Sequence, residues 1–120
     1  LTETSTEALL IWQAEAIVRN QEQPISTPAL IFDETILSEQ SRLLRSIASR
    51  SNAKLLFALK TLAHASVLQI LKPFVDGFAC SSLFEAKLAA EIGAGERTVH
   101  VTSPGMRPDE AAALQGLCDY

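Results

Sequence analysis

Cysteine is scarce in this sequence, and its scarcity excludes one class of small protein. Only two cysteines occur among the 120 residues, Cys80 and Cys118. A secreted domain of this size that depends on disulfides usually carries more of them. Neither cysteine belongs to a CxxC pair or to another spacing typical of metal ligands, so the sequence predicts no metal site. We therefore expect two reduced thiols and a cytoplasmic protein.

The chain also lacks an excess of basic residues and a long apolar run. Its net charge is −4, whereas proteins that bind nucleic acid or anionic membranes generally present a basic face to the phosphates. No stretch approaches the roughly 18 apolar residues of a membrane span. The polar, acidic start, Leu1–Glu7, is unlike a signal peptide. The sequence thus predicts neither a nucleic-acid partner nor a membrane partner.

What the sequence does contain favours a folded core. Hydrophobic residues make up 48% of the chain and charged residues 20%, a balance typical of globular proteins. We expect two parts. The first, residues 1–28, is a helix over Thr4–Arg19 followed by a connector, and Thr4 and Glu7 have the spacing of a capping box. The second, residues 29–120, is an α/β domain.

Short apolar runs alternate with amphipathic segments along this second part, which predicts alternating strands and helices. The strands are expected over Ala29–Phe32, Leu55–Leu59, Gly77–Ser81 and Thr98–Thr102, with one more beginning at Cys118–Tyr120. The helices are expected over Glu34–Arg50, from about His64 to Lys72, from Ser82 to about Ile92 and from Pro108. In the third helix, Ser82 and Glu85 form a second capping box, and Gly93 is well placed to end it.

The alternation of strand and helix predicts a parallel sheet with right-handed crossovers. Two architectures share this local pattern, an open doubly wound sheet and a (β/α)8 barrel. A complete barrel needs about 250 residues, so a barrel with this sequence would be incomplete. The run Leu55–Leu59 is apolar throughout, as expected of a strand that is buried on both faces.

Lys60 stands where parallel α/β proteins place their active sites. It follows the apolar run at the expected C-terminal end of a strand. A lysine that condenses with an aldehyde needs an apolar wall nearby, because desolvation lowers the pKa of its amine. The alternative is a lysine that marks the end of the strand and extends into water. The pattern alone favours this alternative, since charged groups are rarely buried.

Several motifs together resemble one family of enzymes. Thr27–Asp33 (TPALIFD) resembles the TPAY-V-D opening of the alanine racemase-like, fold type III enzymes that use pyridoxal 5'-phosphate (PLP), and Phe57–Lys60 (FALK) resembles their YAVK strand. Asp76–Ala86 (DGFACSSLFEA) is similar to the DG-ASSLYEA stretch of the carboxynorspermidine/carboxyspermidine decarboxylases. Thr102–Gly105 (TSPG) is similar to the SP turn that follows there. The matches come in the order and at the spacing of that family and cover most of the chain.

The resemblance implies a fold and an activity. The fold would be a partial (β/α)8 TIM-like barrel, and the activity the PLP-dependent decarboxylation of a carboxylated polyamine in polyamine biosynthesis. Lys60 would carry PLP, which accepts the electrons left behind when the α-carboxylate departs as CO2. In the family, active sites form at a homodimer interface, and several cofactor-binding groups come from later in the sequence. We therefore expect this segment alone to be inactive.

Four further residues are candidates for contact with PLP, and each has a structural alternative. Ala58, two residues before Lys60, would face the same cavity and leave room for the pyridine ring, or it is a packed core alanine. Glu85 matches a family glutamate near the cofactor, although its capping position also explains it. Ser81 and Ser103 each place a hydroxyl group near the end of a strand. Either hydroxyl could contact the cofactor, and the alternative is a polar group that only marks the end of its strand.

Two positions depart from other decarboxylases of this type. Ornithine and diaminopimelate decarboxylases usually carry Asp where this chain has Ala79, and Asn where it has Leu62. Both differences point to the carboxynorspermidine subgroup. Other hypotheses stay open: an ornithine or diaminopimelate decarboxylase, a racemase or PLP-homeostasis protein, or a non-catalytic α/β domain that has lost the cofactor.

Overall fold

The computed structural model describes residues 14–19, 25–26 and 28–120. By its internal contacts the chain divides into two units, Leu1–Asp33 and Glu34–Tyr120, whereas the sequence places the boundary after residue 28. In the first unit, residues 14–19 are helical. This confirms the end of the helix predicted over Thr4–Arg19. The beginning of that helix, with its capping box, lies outside the described residues.

The segment Ala29–Phe32 is not a strand, so this prediction is wrong. Residues 29–33 carry no regular secondary structure, and Leu30 is 85% exposed. A strand is stabilised by backbone hydrogen bonds to a neighbouring strand. The three strands of the described sheet all belong to the second unit. The run is apolar, as many strands are, but it does not adopt the conformation of a strand in this structure.

The second unit alternates strands and helices in the predicted order. Its helices are α1 (Glu34–Arg50), α2 (Ala65–Leu71), α3 (Leu83–Gly93) and α4 (Pro108–Leu114). Its strands are β1 (Leu56–Ala58), β2 (Gly77–Cys80) and β3 (Thr98–Val101). Two 3-10 turns follow β1 and α2, at Leu59–Thr61 and Lys72–Phe74. The predicted alternation is confirmed, and α1 has its predicted bounds.

The three strands form one parallel sheet in the order β1-β2-β3. Ala58 pairs with Ala79, and Ala79 pairs with His100, so the three residues share one row across the sheet. Gly77 lies two residues earlier on β2, opposite Thr98. A Cβ atom at Gly77 would collide with the hydroxyl and carbonyl oxygens of Thr98. The close pairing of β2 with β3 therefore requires glycine at this position.

The chain returns to the sheet beside β3 at Tyr120. The Tyr120 N–H donates to the carbonyl oxygen of Val99 at 3.3 Å, and the Tyr120 carbonyl oxygen accepts from the Val101 N–H at 2.9 Å. This exchange is the hydrogen-bond pattern of a parallel pair. It supports the prediction that a further strand begins over Cys118–Tyr120.

The helices cover one face of the sheet. Side chains alternate between the two faces of a strand, and those of Phe78, Cys80 and Val99 are buried on the same side in the main core. The helices contribute Leu68 from α2, Ala86, Ala89 and Ile92 from α3, and Leu114 from α4. Burying a large apolar side chain stabilises the fold by about 1.5–3 kcal/mol. This shared burial fixes the helices against the sheet.

The opposite face of the sheet carries small and polar side chains, and we call it the bare face. Alternation assigns six residues to it: Leu56, Ala58, Gly77, Ala79, Thr98 and His100. None of these residues belongs to the core formed by the described residues. Burial of the Leu55–Leu59 run on both faces therefore stays a prediction. The strand covers Leu56–Ala58, and all three residues are only partly buried.

Asp76 joins three segments at the N-terminal edge of the sheet. Its carboxylate accepts a hydrogen bond from the Leu55 N–H at 2.8 Å and one from the Arg45 guanidinium at 2.6 Å. Lys54 Nζ lies 3.7 Å from the other carboxylate oxygen. The Leu55 N–H and the Arg45 charge hold the pKa of Asp76 below its usual value. Asp76 thus links α1 and the start of β1 to the start of β2.

Candidate functional site

The C-terminal ends of the three strands bring the predicted site residues to one edge of the sheet. Lys60 follows β1, Ser81 follows β2 and Ser103 follows β3. Because the strands are parallel and Ala58 pairs with Ala79, Lys60 and Ser81 leave the sheet at the same level. The C-terminal edge of a parallel sheet is where α/β proteins usually bind their ligands. The structure therefore gathers the predicted residues at the expected edge.

Lys60 lies in the 3-10 turn after β1 and is exposed. The turn is held by the Leu62 N–H, which donates to Leu59 O at 2.9 Å, and by the Thr61 hydroxyl, which donates to Ala58 O at 2.7 Å. Leu59 is fully buried beside it. The backbone of Lys60 is therefore fixed. Lys60 is exposed among the described residues, and an apolar wall beside its amine stays a prediction.

Glu85 is fixed by the strand end before it. One oxygen of its carboxylate accepts from the Ser81 N–H at 2.7 Å and from the Ser81 hydroxyl at 3.0 Å. The Glu85 N–H donates to the Ser82 hydroxyl at 3.2 Å, which makes Ser82 the N-cap of α3. The predicted cap is present, with one difference: the carboxylate reaches back to Ser81 instead of Ser82. Ser81 and Glu85 form one hydrogen-bonded group near Lys60's edge of the sheet.

Ser103 and Cys80 have structural roles of their own. The Ser103 hydroxyl donates to Gly105 O at 2.7 Å and closes the turn after β3. Cys80 lies in the core, and burial, helped by the nearby charge of Glu85, raises the pKa of its thiol to about 12. A thiol with so high a pKa is a poor nucleophile, because the thiolate is the reactive form. Cys80 is a buried thiol, as predicted.

Ala58 and Ala79 lie side by side on the bare face. Their methyl groups are the smallest side chains that a non-glycine residue can place there, and Ala58 comes two residues before Lys60. His100 continues the row on β3. Ala58 is thus a surface of the bare face and not a packed core alanine in the described residues.

His100 and Tyr120 form a stacked pair that the sequence does not predict. Their ring centroids are 4.7 Å apart and their planes differ by 18°. Nε2 of His100 lies 2.9 Å from the Thr98 hydroxyl oxygen, which also contacts Asp76 O at 3.3 Å. The alternation along β3 could have placed Thr98 and His100 on one face. Nothing local predicts Tyr120 beside them, since it comes 20 positions later in the chain.

A cavity of about 400 Å³ opens near the N-terminal edge of the sheet. Its lining includes Arg45, Asp76, Thr98 and Tyr120, and Lys60 does not contribute to it. The Arg45 guanidinium and the Asp76 carboxylate neutralise each other at 2.6 Å. His100 also lines this cavity, so the cavity reaches the row of Ala58 and Ala79 on the bare face, whereas Lys60 lies outside it.

Metal-binding clusters and membrane-spanning helices are both absent from residues 14–19, 25–26 and 28–120. Within these ranges no group of three or more His, Cys, Asp and Glu side chains could hold a metal ion. The same ranges contain no helix with the length and apolar character needed to cross a membrane.

Comparison with known proteins identifies relatives of one kind. The chain is 36% identical over 98 residues to a carboxynorspermidine/carboxyspermidine decarboxylase from Campylobacter jejuni, a match that covers 82% of the chain and 25% of that protein. It is 34% identical to the enzyme of the same name from Herminiimonas arsenicoxydans, over 79% of the chain and 26% of the relative. A carboxyaminopropylagmatine decarboxylase from Synechocystis is 29% identical, over 80% of the chain and 24% of the relative. No family model matches the chain.

A solved structure agrees with the sequence matches. The crystal structure of carboxynorspermidine decarboxylase from Campylobacter jejuni, complexed with norspermidine, superimposes with a TM-score of 0.72 at 36% identity. The match covers 78% of this chain and 25% of that one. The resemblance drawn from the motifs is thereby confirmed. The chain spans about a quarter of the length of the relatives it matches.

Proposed function

We propose, from the premise that this chain is a partial relative of the carboxynorspermidine decarboxylases, that it forms part of the barrel of a PLP-dependent decarboxylase. Lys60 is the lysine that carries PLP, and the substrate is a carboxylated polyamine. One observation carries the proposal. Lys60 lies at the C-terminal edge of a parallel sheet, in the turn that directly follows β1.

The bare face and the strand order support a barrel over a doubly wound sheet. A doubly wound sheet has helices on both faces and reverses its strand order at a switch point. Here the strands follow one another in sequence order, and the core that includes α2, α3 and α4 lies on one face only. In a barrel the second face is turned inward and packed by residues from the other strands. We propose that polypeptide outside this sequence supplies those strands.

The residues at the edge fit PLP. The small side chains of Ala58 and Ala79 would leave room for a planar ring, and Lys60 would offer its primary amine to the cofactor. When bound, PLP supplies the electron sink that accepts the electrons of the departing carboxylate. The Lys60 amine would hold the cofactor and carry a proton at Nζ. The Glu85 carboxylate, fixed by Ser81, places a negative charge at this edge.

The substrate class follows from the relatives. The Campylobacter structure contains norspermidine, and the third relative acts on carboxyaminopropylagmatine by its name. Norspermidine is a chain of amines, and carboxyaminopropylagmatine is a similar chain that ends in a guanidine group. We propose that this protein releases CO2 from a carboxylated polyamine and that it acts as a homodimer.

Activity measurements with the complete protein test the proposal. We expect Lys60→Ala to lower kcat for CO2 release from carboxynorspermidine by roughly a thousandfold. The matched control is Lys87→Ala, which removes an exposed lysine of α3 and should leave kcat within about twofold. Unchanged turnover in Lys60→Ala would refute the assignment of this lysine. Turnover with ornithine or diaminopimelate, and none with carboxynorspermidine, would refute the substrate class.

A further inference from the structure

Thr61, the residue after Lys60, connects the turn that carries this lysine to strand β1. The Thr61 hydroxyl donates to the carbonyl oxygen of Ala58, the last residue of β1, at 2.7 Å. Ala58 is itself held in the sheet by its pairing with Ala79 on β2. The hydrogen bond therefore closes a loop from residue 58 to residue 61, and Lys60 lies inside that loop.

Two further contacts hold the same turn. Leu59 is fully buried in the core. The Leu62 N–H donates to the Leu59 carbonyl oxygen at 2.9 Å, so a second hydrogen-bonded loop also encloses Lys60. The hydrogen bonds of a 3-10 turn have poorer geometry than those of an α-helix. A side-chain hydrogen bond that connects such a turn to the sheet is therefore a substantial part of what holds it.

We propose that Thr61 is a positioning residue, whose hydroxyl keeps the backbone of Lys60 fixed at the edge of the sheet and so orients its amine for condensation with the aldehyde of PLP. This inference rests on the proposed function and adds to it a residue that acts through Lys60 without contacting the cofactor. The condensation forms a carbon–nitrogen double bond and releases one water molecule. Two groups react fastest when they are held in the geometry of attack, and small displacements slow the reaction strongly.

The rate at which PLP attaches to Lys60 in the complete, cofactor-free protein tests the inference. Thr61 is exposed, so Thr61→Val removes the hydroxyl, keeps the β-branched shape and leaves the core intact. Attachment should slow about three- to tenfold, the range expected from the loss of one hydrogen bond. Thr61→Ser keeps a hydroxyl and should retain a rate close to that of wild type. If Thr61→Val does not fold, Thr61→Ala carries the same expectation.

Absorbance of the bound cofactor measures the rate, and borohydride reduction followed by peptide mapping identifies the labelled lysine. The rates are compared without denaturant, under conditions in which urea titration shows each variant to be folded. A general loss of stability would then leave the attachment rate unchanged, so a slower rate reports on the turn itself.

The control is Ser46→Ala. The Ser46 hydroxyl donates to the Leu43 carbonyl oxygen at 2.8 Å, also between residues three positions apart, but on α1. Its removal should not change the attachment rate. A wild-type rate in Thr61→Val, a slow rate in Thr61→Ser or an equal slowing in Ser46→Ala would overturn the inference and leave the proposed function intact. Absence of PLP from Lys60 in the parent protein would instead refute the proposed function.

Discussion

At the scale of single residues, Asp76 is the side chain whose charge most clearly supports the fold. It is 17% exposed and accepts from the Leu55 N–H and the Arg45 guanidinium. These partners favour the ionised form, so the pKa of Asp76 is lower in the folded protein than the ordinary value of 3.8. The stabilisation is therefore fully present above that ordinary value. It is lost as the pH falls through the lower, folded-state pKa.

The charge of Asp76 can be tested with Asp76→Asn. We expect the substitution to lower the free energy of unfolding by about 1–3 kcal/mol at pH 7, because it removes the ion pair with Arg45. The difference from wild type should shrink as the pH falls below about 4, where wild-type Asp76 also loses its charge. Urea unfolding over a series of pH values measures both effects.

The control for this experiment is Asp109→Asn, at an aspartate that is 74% exposed and 3.7 Å from Arg107. An exposed pair of this kind contributes little, so the change should stay under about 0.5 kcal/mol. A pH-independent loss in Asp76→Asn, or an equal loss in Asp109→Asn, would contradict the explanation.

Single residues also differ in how far their role in the candidate site can be predicted from the sequence. The position of Lys60 was predictable, because a charge after an apolar run marks the end of a strand. Its exposure is the outcome that the pattern alone favours, whereas the side chains around it were not predictable, because they come from residues that are distant along the chain. The pair of His100 and Tyr120 was missed for the same reason. It depends on the return of residue 120 to the edge of β3.

At the scale of elements, the end of α3 departs from the sequence-based expectation. Gly93 was expected to end the helix, yet it is the last helical residue, and Ala94 adopts the left-handed conformation with φ 49°. Its N–H closes the last turn by donating to Ala90 O. The left-handed region is unfavourable for a residue with a Cβ atom. Alanine therefore occupies the position at which the left-handed backbone conformation would favour glycine.

This conformation makes Ala94→Gly a stabilising substitution. We expect the free energy of unfolding to rise by about 1 kcal/mol, because glycine relieves the steric cost of the left-handed backbone. Ala112→Gly, at an exposed site within α4, is the matched control and should cost about 1 kcal/mol. Urea denaturation compares them. A loss of stability in both variants would show that backbone freedom, and not strain, dominates at Ala94.

Helices were easier to predict than strands in this chain. The bounds of α1 follow from its own periodicity, and the Ser82 cap of α3 is local chemistry. A strand forms only where a neighbouring strand supplies the partners for its backbone hydrogen bonds. Ala29–Phe32 has a strand's composition but no pairing partner in the described sheet, whereas Tyr120 pairs with β3 although its own segment is short. Local sequence cannot distinguish these two cases.

At the scale of the whole molecule, the bare face is the feature that the proposed function must explain. It carries Ala58, Ala79 and His100 in one row, and the core of the described unit lies on the other side. Parallel sheets are normally covered on both faces. A barrel interior satisfies this requirement, and the relatives, of which the chain spans about a quarter, have ample length to provide it.

The most direct test of the central claim is to locate PLP on the complete protein. The protein is loaded with PLP, treated with borohydride to make the bond to lysine permanent, digested and mapped by mass spectrometry. Mapping the labelled peptide distinguishes Lys60 from Lys54, Lys72 and Lys87 of this sequence and from any lysine of the remaining polypeptide. We predict that the pyridoxyl group is found on Lys60. A label on any other lysine of the complete protein, or none at all, would contradict the claim.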